Sequence, residues 1–266
     1  MRKTCVAFML LLVSSWAFAQ GMYWKTETEG TVAERSSENY MMPGKLKIVR
    51  SGGESEGAIV IARLDREVFW MLNPEKKTYS EMTFAEMEQM VSKTGAKMDD
   101  AMAKMKEEMK DMTPEQREMV EKMMGGKMPG GQADMAVDVQ KTNQTKTIAG
   151  YSCTKYSVKE GANEVMTVWT TKGVTGFDAM AADWKKFAER MSAMNPRGGK
   201  GMADAYKSID GFPMQTMIKM MGQTVTATVK QVERRSTPAG EFDTPAGYKK
   251  VEGEWKKHMR EMDQDE

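Results

Sequence analysis

Two hydrophobic periods alternate along this chain, and their order predicts its architecture. Between Met22 and Met82 the apolar residues come in short runs: Leu46-Lys47-Ile48 after a Pro43-Gly44 turn, then Ala58-Ile59-Val60-Ile61-Ala62, then Val68-Phe69-Trp70-Met71-Leu72. The link Asp65-Arg66-Glu67 is short enough for a hairpin, and Asn73-Pro74 turns the chain into Lys77-Thr78-Tyr79-Ser80. Closely spaced strands with short links indicate an antiparallel meander.

Over residues 83–124 the period changes to that of a helix. Thr83 and Glu86 have capping-box spacing, and Phe84, Met87 and Val91 share one helical face. After Gly95, residues Met98, Met102, Met105, Met109 and Met112 recur at alternating steps of four and three, a narrow apolar stripe on a charged helix. Thr113-Pro114-Glu115-Gln116 predicts a helix restart, with Met119, Val120, Met123 and Met124 inward until Gly125-Gly126. Gly125 to Gly131 reads as a flexible connection.

From Met135 the strand pattern returns, with candidates Met135–Lys141, Tyr151–Lys159 and Glu164–Thr171. A second helical insertion places Met180, Trp184, Phe187, Met191 and Met194 on one face before Pro196, and Gly198–Gly201 reads as loop. Phe212–Met221 and Gln223–Val232 predict a hairpin turning at Gly222. In its second strand Val225, Ala227 and Val229 alternate with Thr224, Thr226 and Thr228, so one face is buried and one wet. Phe242–Tyr248 reads as a final extended segment and residues 251–263 as a charged helix. Neither run of strands suffices to close a core alone, which predicts one α+β domain over residues 20–250, followed by a charged tail, residues 251–266.

The N-terminus changes the picture of where this domain works. Arg2 and Lys3, the apolar run Val6–Val13 and the small-x-small site Ala17-Phe18-Ala19 form a signal peptide over residues 1–19, with the mature chain starting at Gln20. Cys5 sits inside the apolar run and no cysteine stands at the cleavage point, which argues against a lipid anchor. The expected location is the periplasm, without a transmembrane anchor. Cys153 is then the one mature thiol, read as a small buried hydrophobe. Loss of Arg2 and Lys3 from 39 basic residues against 38 acidic ones leaves a net charge of −1, so there is no basic field for nucleic acid.

Catalytic equipment is sparse. His258, the only histidine, lies in the charged tail, so neither a Ser-His-Asp relay nor a multi-histidine metal site can be assembled. The composition predicts no enzyme and no cofactor. Thirty methionines in 266 residues raise the alternative of a soft-metal protein binding Cu(I). Such a site needs several sulfurs converging on one point, whereas stripes along helices are what packing or an adaptable apolar surface requires.

Four strings taken in order carry a family resemblance: Arg66–Tyr79 (REVFWMLNPEKKTY), Ile148–Tyr156 (IAGYSCTKY), Gly211-Phe212-Pro213-Met214, and Phe242–Tyr248 (FDTPAGY). The chain resembles the exported bacterial family catalogued as domain of unknown function 4412, which in turn is similar to LolA/LolB-type periplasmic lipoprotein carriers. That resemblance implies a strongly curved antiparallel sheet, an incomplete barrel, with helices over an apolar concave face. The methionine-rich segment 83–124 exceeds that plan, and the family supplies no catalytic residues. The function expected is a non-enzymatic carrier holding an acyl chain, lipid or lipoprotein. Its apolar site would be lined by Phe69, Trp70, Met102, Met105, Met109, Trp169, Trp184 and Phe187, residues that would equally fill a dry core. A structural envelope protein docking a protein partner through its methionine helices is the further alternative.

Overall fold

The computed structural model describes residues 20–30, 35–53, 56–110, 112–113, 137–193, 199–220 and 223–264. The expected leader, the helix restart expected beyond Thr113 and the whole Gly125–Gly131 connection lie outside the described residues. The strands are β1 (Gln20–Glu29), β2 (Arg35–Met42), β3 (Lys45–Ser51), β4 (Ile59–Arg63), β5 (Val68–Asn73), β6 (Thr78–Thr83), β7 (Val137–Ile148), β8 (Tyr151–Glu160), β9 (Asn163–Thr171), β10 (Phe212–Met220), β11 (Gln223–Ser236) and β12 (Lys249–Lys250). They form one open sheet in the order β12-β6-β5-β4-β3-β2-β1-β11-β10-β9-β8-β7. Every neighbouring pair is antiparallel except the short parallel contact of β12 with β6. β1 joins the halves, pairing with β2 on one side and with β11 on the other.

Local chemistry explains the hairpins. Ala149 (φ 47°) and Gly150 (φ 83°) both take left-handed backbone between the paired residues Ile148 and Tyr151. A two-residue turn of that hand matches the twist of the strands it joins. In the Gly-Phe-Pro-Met string, Gly211 has φ 89°, and a Cβ there would stand 2.7 Å from the Thr171 carbonyl oxygen. Only glycine lets β10 start this close to β9.

Four helices complete the described structure: α1 (Phe84–Lys110), α2 (Ala181–Ala193), α3 (Gly199–Ser208) and α4 (Glu254–Gln264). The capping box forms as expected, with the Thr83 amide donating to Glu86 Oε2 at 2.8 Å and the Glu86 amide donating to Thr83 Oγ1 at 3.1 Å. α1 runs unbroken through Gly95. A single interior glycine costs a helix about 1 kcal/mol, which the flanking turns outweigh.

The sheet curves around α2. Met82, Phe69, Ala62, Leu46, Met41 and Met22 from one half meet Ile148, Cys153, Phe212, Met214 and Val229 from the other in one buried cluster, with Phe84 and Met87 of α1 and Phe187 of α2. A flat sheet of this many strands would spread those residues over roughly 50 Å. The other face carries two separate clusters. Met42, Ile61, Val68, Trp70 and Leu72 are covered by Phe242, and Tyr156, Val158, Met166 and Val168 by Ala205 and Ile209.

Three expectations need correction on these grounds. Gly199–Ser208 is helix where loop was expected over Gly198–Gly201, and it packs on the outer face, so helices cover both faces. Phe242 closes a 3-10 turn (Ala239–Phe242), not an extended segment, and is fully buried. In β11 only Val229 is fully buried, while Val225 and Ala227 are partly exposed like the threonines between them.

The buried Phe242 explains one family string. Arg63, 3% exposed, donates through Nη1 to the Phe242 carbonyl at 3.2 Å and to Asp243 Oδ1 at 2.5 Å, and through Nε to Asp65 Oδ1 at 2.8 Å. A buried guanidinium is tolerated because each donating edge meets an acceptor. The Phe-Asp-Thr-Pro string is therefore a strap clamped over the outer face.

Candidate apolar cleft

One cleft of about 350 Å³ opens where α2, α3 and the ends of β9 and β10 meet. Phe177, Ala181 and Trp184 wall it from the α2 side, and Val168, Ile209 and Pro213 from the α3 side. Behind the Phe177 and Trp184 walls runs an aromatic ladder. Trp184 meets Trp24 edge-on at 5.7 Å between centroids, Trp24 meets Phe212 at 5.5 Å, and Phe212 meets Phe177 at 5.1 Å. Such edge-to-face contacts fix ring orientation beyond what area burial does. The two helices are tied across the opening, with Lys185 Nζ donating to the Lys207 carbonyl at 2.8 Å and Lys207 Nζ lying 3.2 Å from Glu189. Lys172, Asp178, Lys185 and Asp210 supply two charges of each sign at the rim. Tyr206 also lines the cleft.

The residues proposed from sequence scatter across the fold. Trp184 lines the cleft. Phe187, 1% exposed, and Phe69, 4% exposed, are sealed in the inner core beneath. Trp169 packs against the edge of that core, with Lys146 Nζ 4.3 Å above its ring. Trp70 lies on the opposite face from Phe69, because adjacent strand residues alternate, and donates through Nε1 to Glu81 Oε2 at 2.9 Å. On α1, Met109 is buried and Met105 half-buried; the Met102 side chain lies outside those described. The arrangement thus brings one of the eight into the cleft and leaves six elsewhere, with the Met102 side chain outside those described.

Sequence reasoning missed Phe177, Tyr206 and Ile209. Ala205, Tyr206 and Ile209 carry helical spacing, but the glycines just before them conceal it. Phe177 sits in a connection between β9 and α2 that has no period.

Among the described residues no three histidine, cysteine, aspartate or glutamate side chains gather to hold a metal. Cys153 is fully buried, and burial pushes its thiol pKa up, away from the nucleophilic thiolate. No described helix is long and apolar enough to cross a membrane.

A family model described as "Domain of unknown function (DUF4412)" matches residues 86–248. The chain belongs to that family. Three of its four signature strings fall inside the match, and Arg66–Tyr79 lies before it. No curated protein matches the chain. Among solved structures, it is similar to MucB in complex with MucA(peri), at 8% identity and TM-score 0.37. It is also similar to the Pseudomonas aeruginosa MucA/MucB complex at 10% and 0.38, and to MucB alone at 6% and 0.37. The matches cover 86–88% of this chain but only 54–60% of those chains, so it spans a little over half their length.

Proposed function

We propose that this member of the family is a non-catalytic protein of the cell envelope, exported by its leader, that holds an apolar ligand in the cleft between α2, α3 and the sheet. The cleft itself carries the reading. Its volume of about 350 Å³ sits at the lower end of small-molecule sites, room for one acyl chain or a body of similar girth. Its walls are apolar, its charges stand at the mouth, and the large aromatic residues beneath are already packed against one another. The ligand space is therefore separate from the core. A soft-metal role draws no comparable support, since Met105 and Met109 follow one helix axis instead of surrounding a point.

Displacement of the neutral dye Nile red tests the reading. The native chain is expected to bind the dye and release it to apolar competitors. Ala181→Trp, which fills the cleft from its wall, should abolish binding at unchanged melting temperature. Equal dye binding by the two proteins would contradict the assignment.

A further inference from the structure

One edge of the open sheet, that of β6, is covered by the chain's own tail, and the cover is slight. The Lys249 amide donates to the Lys77 carbonyl at 3.0 Å and the Val251 amide to the Tyr79 carbonyl at 2.8 Å, in a parallel pairing of two residues. Two ion pairs guide the tail, Lys250 Nζ to Glu81 Oε1 at 2.6 Å and Lys256 Nζ to Glu86 Oε1 at 2.9 Å. These four side chains are 30–56% exposed, where such pairs hold weakly. Trp255 packs against the inner cluster, yet its Nε1 is fully buried and has no acceptor among the described residues. Docking thus leaves a donor unmet, a cost that release into water removes. Val251 stays 45% exposed, and a groove of about 300 Å³ lies between α4 and the Glu86, Gln89 and Lys93 side of α1. Arg260 Nη2 donates to Glu252 Oε2 at 2.9 Å, tying α4 to its own lead-in, so the tail can leave as a unit.

The tail's contacts show what this edge accepts. Its seat is acidic. Glu81 is held by Trp70 Nε1 at 2.9 Å and Glu86 by the Thr83 amide at 2.8 Å, so both carboxylates stay in place when the tail's lysines leave. The Lys77 and Tyr79 carbonyls then become free acceptors, a template for an added strand. The place left by Trp255 offers an apolar contact on the inner cluster. An acidic segment would meet two like charges there, whereas a basic one finds both its partners.

Independently of the cleft, we infer that the tail, residues 249–264, is a displaceable stand-in for a protein partner. That partner adds an extended basic segment along β6, with one cation on Glu81, a second on Glu86 and an apolar side chain in the seat of Trp255.

A fluorescein-labelled peptide copying residues 247–264 tests this on the full chain by anisotropy. The native chain, its seat occupied, should bind the peptide weakly. Gly253→Ala frees the seat, because a Cβ there would stand 2.4 Å from Trp255 Nε1, and Gly253 is not among the glycines with left-handed backbone. The docked indole is what that Cβ strikes. This variant should bind the peptide roughly tenfold more tightly than the native chain does, and so should the full chain with Lys250→Glu and Lys256→Glu. A peptide carrying those same two changes should bind neither variant. Equal peptide binding by the native chain and both variants would overturn the stand-in role. Equal binding of the native and charge-reversed peptides would overturn the acidic seat. A native chain that runs as a dimer, split by the peptide, would give the seat to a second copy's tail and overturn a distinct partner.

Discussion

Two residues on neighbouring turns of α2 separate packing from binding. Phe187 is 1% exposed inside the cluster that joins both halves of the sheet, so Phe187→Ala leaves a cavity there. The expected cost is about 3–5 kcal/mol of stability, measured by chemical denaturation. Trp184 is only partly buried and faces the cleft, so Trp184→Ala should cost less stability yet weaken dye binding. Equal destabilisation by the two with no binding difference would merge cleft and core. Arg63 gives a third test at this scale. Its guanidinium, hydrogen-bonded to Asp65, holds that carboxyl below its ordinary range. A carboxyl lowered on folding adds stability that is full above its unfolded pKa and lost as pH falls through the folded one. Stability should therefore decline below about pH 4 by this route, and Asp65→Asn should flatten that part of the acid profile. An unchanged profile would show that the carboxyl contributes nothing to the clamp.

Among the elements, α1 combines an anchored start with an exposed remainder. Phe84 and Met87 are buried against the sheet, and the capping box fixes the first turn. Farther along, most of the described side chains are exposed. Residues 96–110 should therefore exchange amide hydrogen faster than β4 and β5, with opening spreading from the far end and no hinge at Gly95. Uniform protection along α1 would contradict this. The stripe geometry also predicts no stoichiometric Cu(I) site. A tight site lost on changing Met102, Met105 and Met109 to leucine would revive the soft-metal alternative. Strands were legible because alternation and hairpin links report directly on the pleat, as Asp65-Arg66-Glu67 shows. α3 was not, because Gly199 and Gly201 depress local propensity and burial of Ala205 and Ile209 on the sheet overrides it. The sidedness of Phe69 and Trp70 was legible in principle: adjacent strand positions cannot line one wall.

Across the whole molecule, β1 is the seam. It is the first strand of the described residues, yet its longest pairing is with β11 near the other end of the chain. The inner cluster likewise draws on both halves, so residues 20–250 are proposed to fold as one unit. Deleting residues 135–266 should leave residues 20–134 without a cooperative melt. A native-like circular dichroism transition in that fragment would refute single-unit folding. The cleft follows from this closure, because it exists only where the two helices after β9 straddle the sheet's end. It was read from the structure; the sequence showed only Trp184, one wall residue on a periodic helix, and gave no sign of what faced it.

Native mass spectrometry of the protein recovered from the compartment to which its leader is proposed to export it tests the central claim most directly. The exported chain, proposed to start at Gln20, should carry an apolar adduct that organic solvent extracts and that Ala181→Trp lacks. A chain without any adduct, or an adduct retained in full by Ala181→Trp, would contradict a ligand held in this cleft.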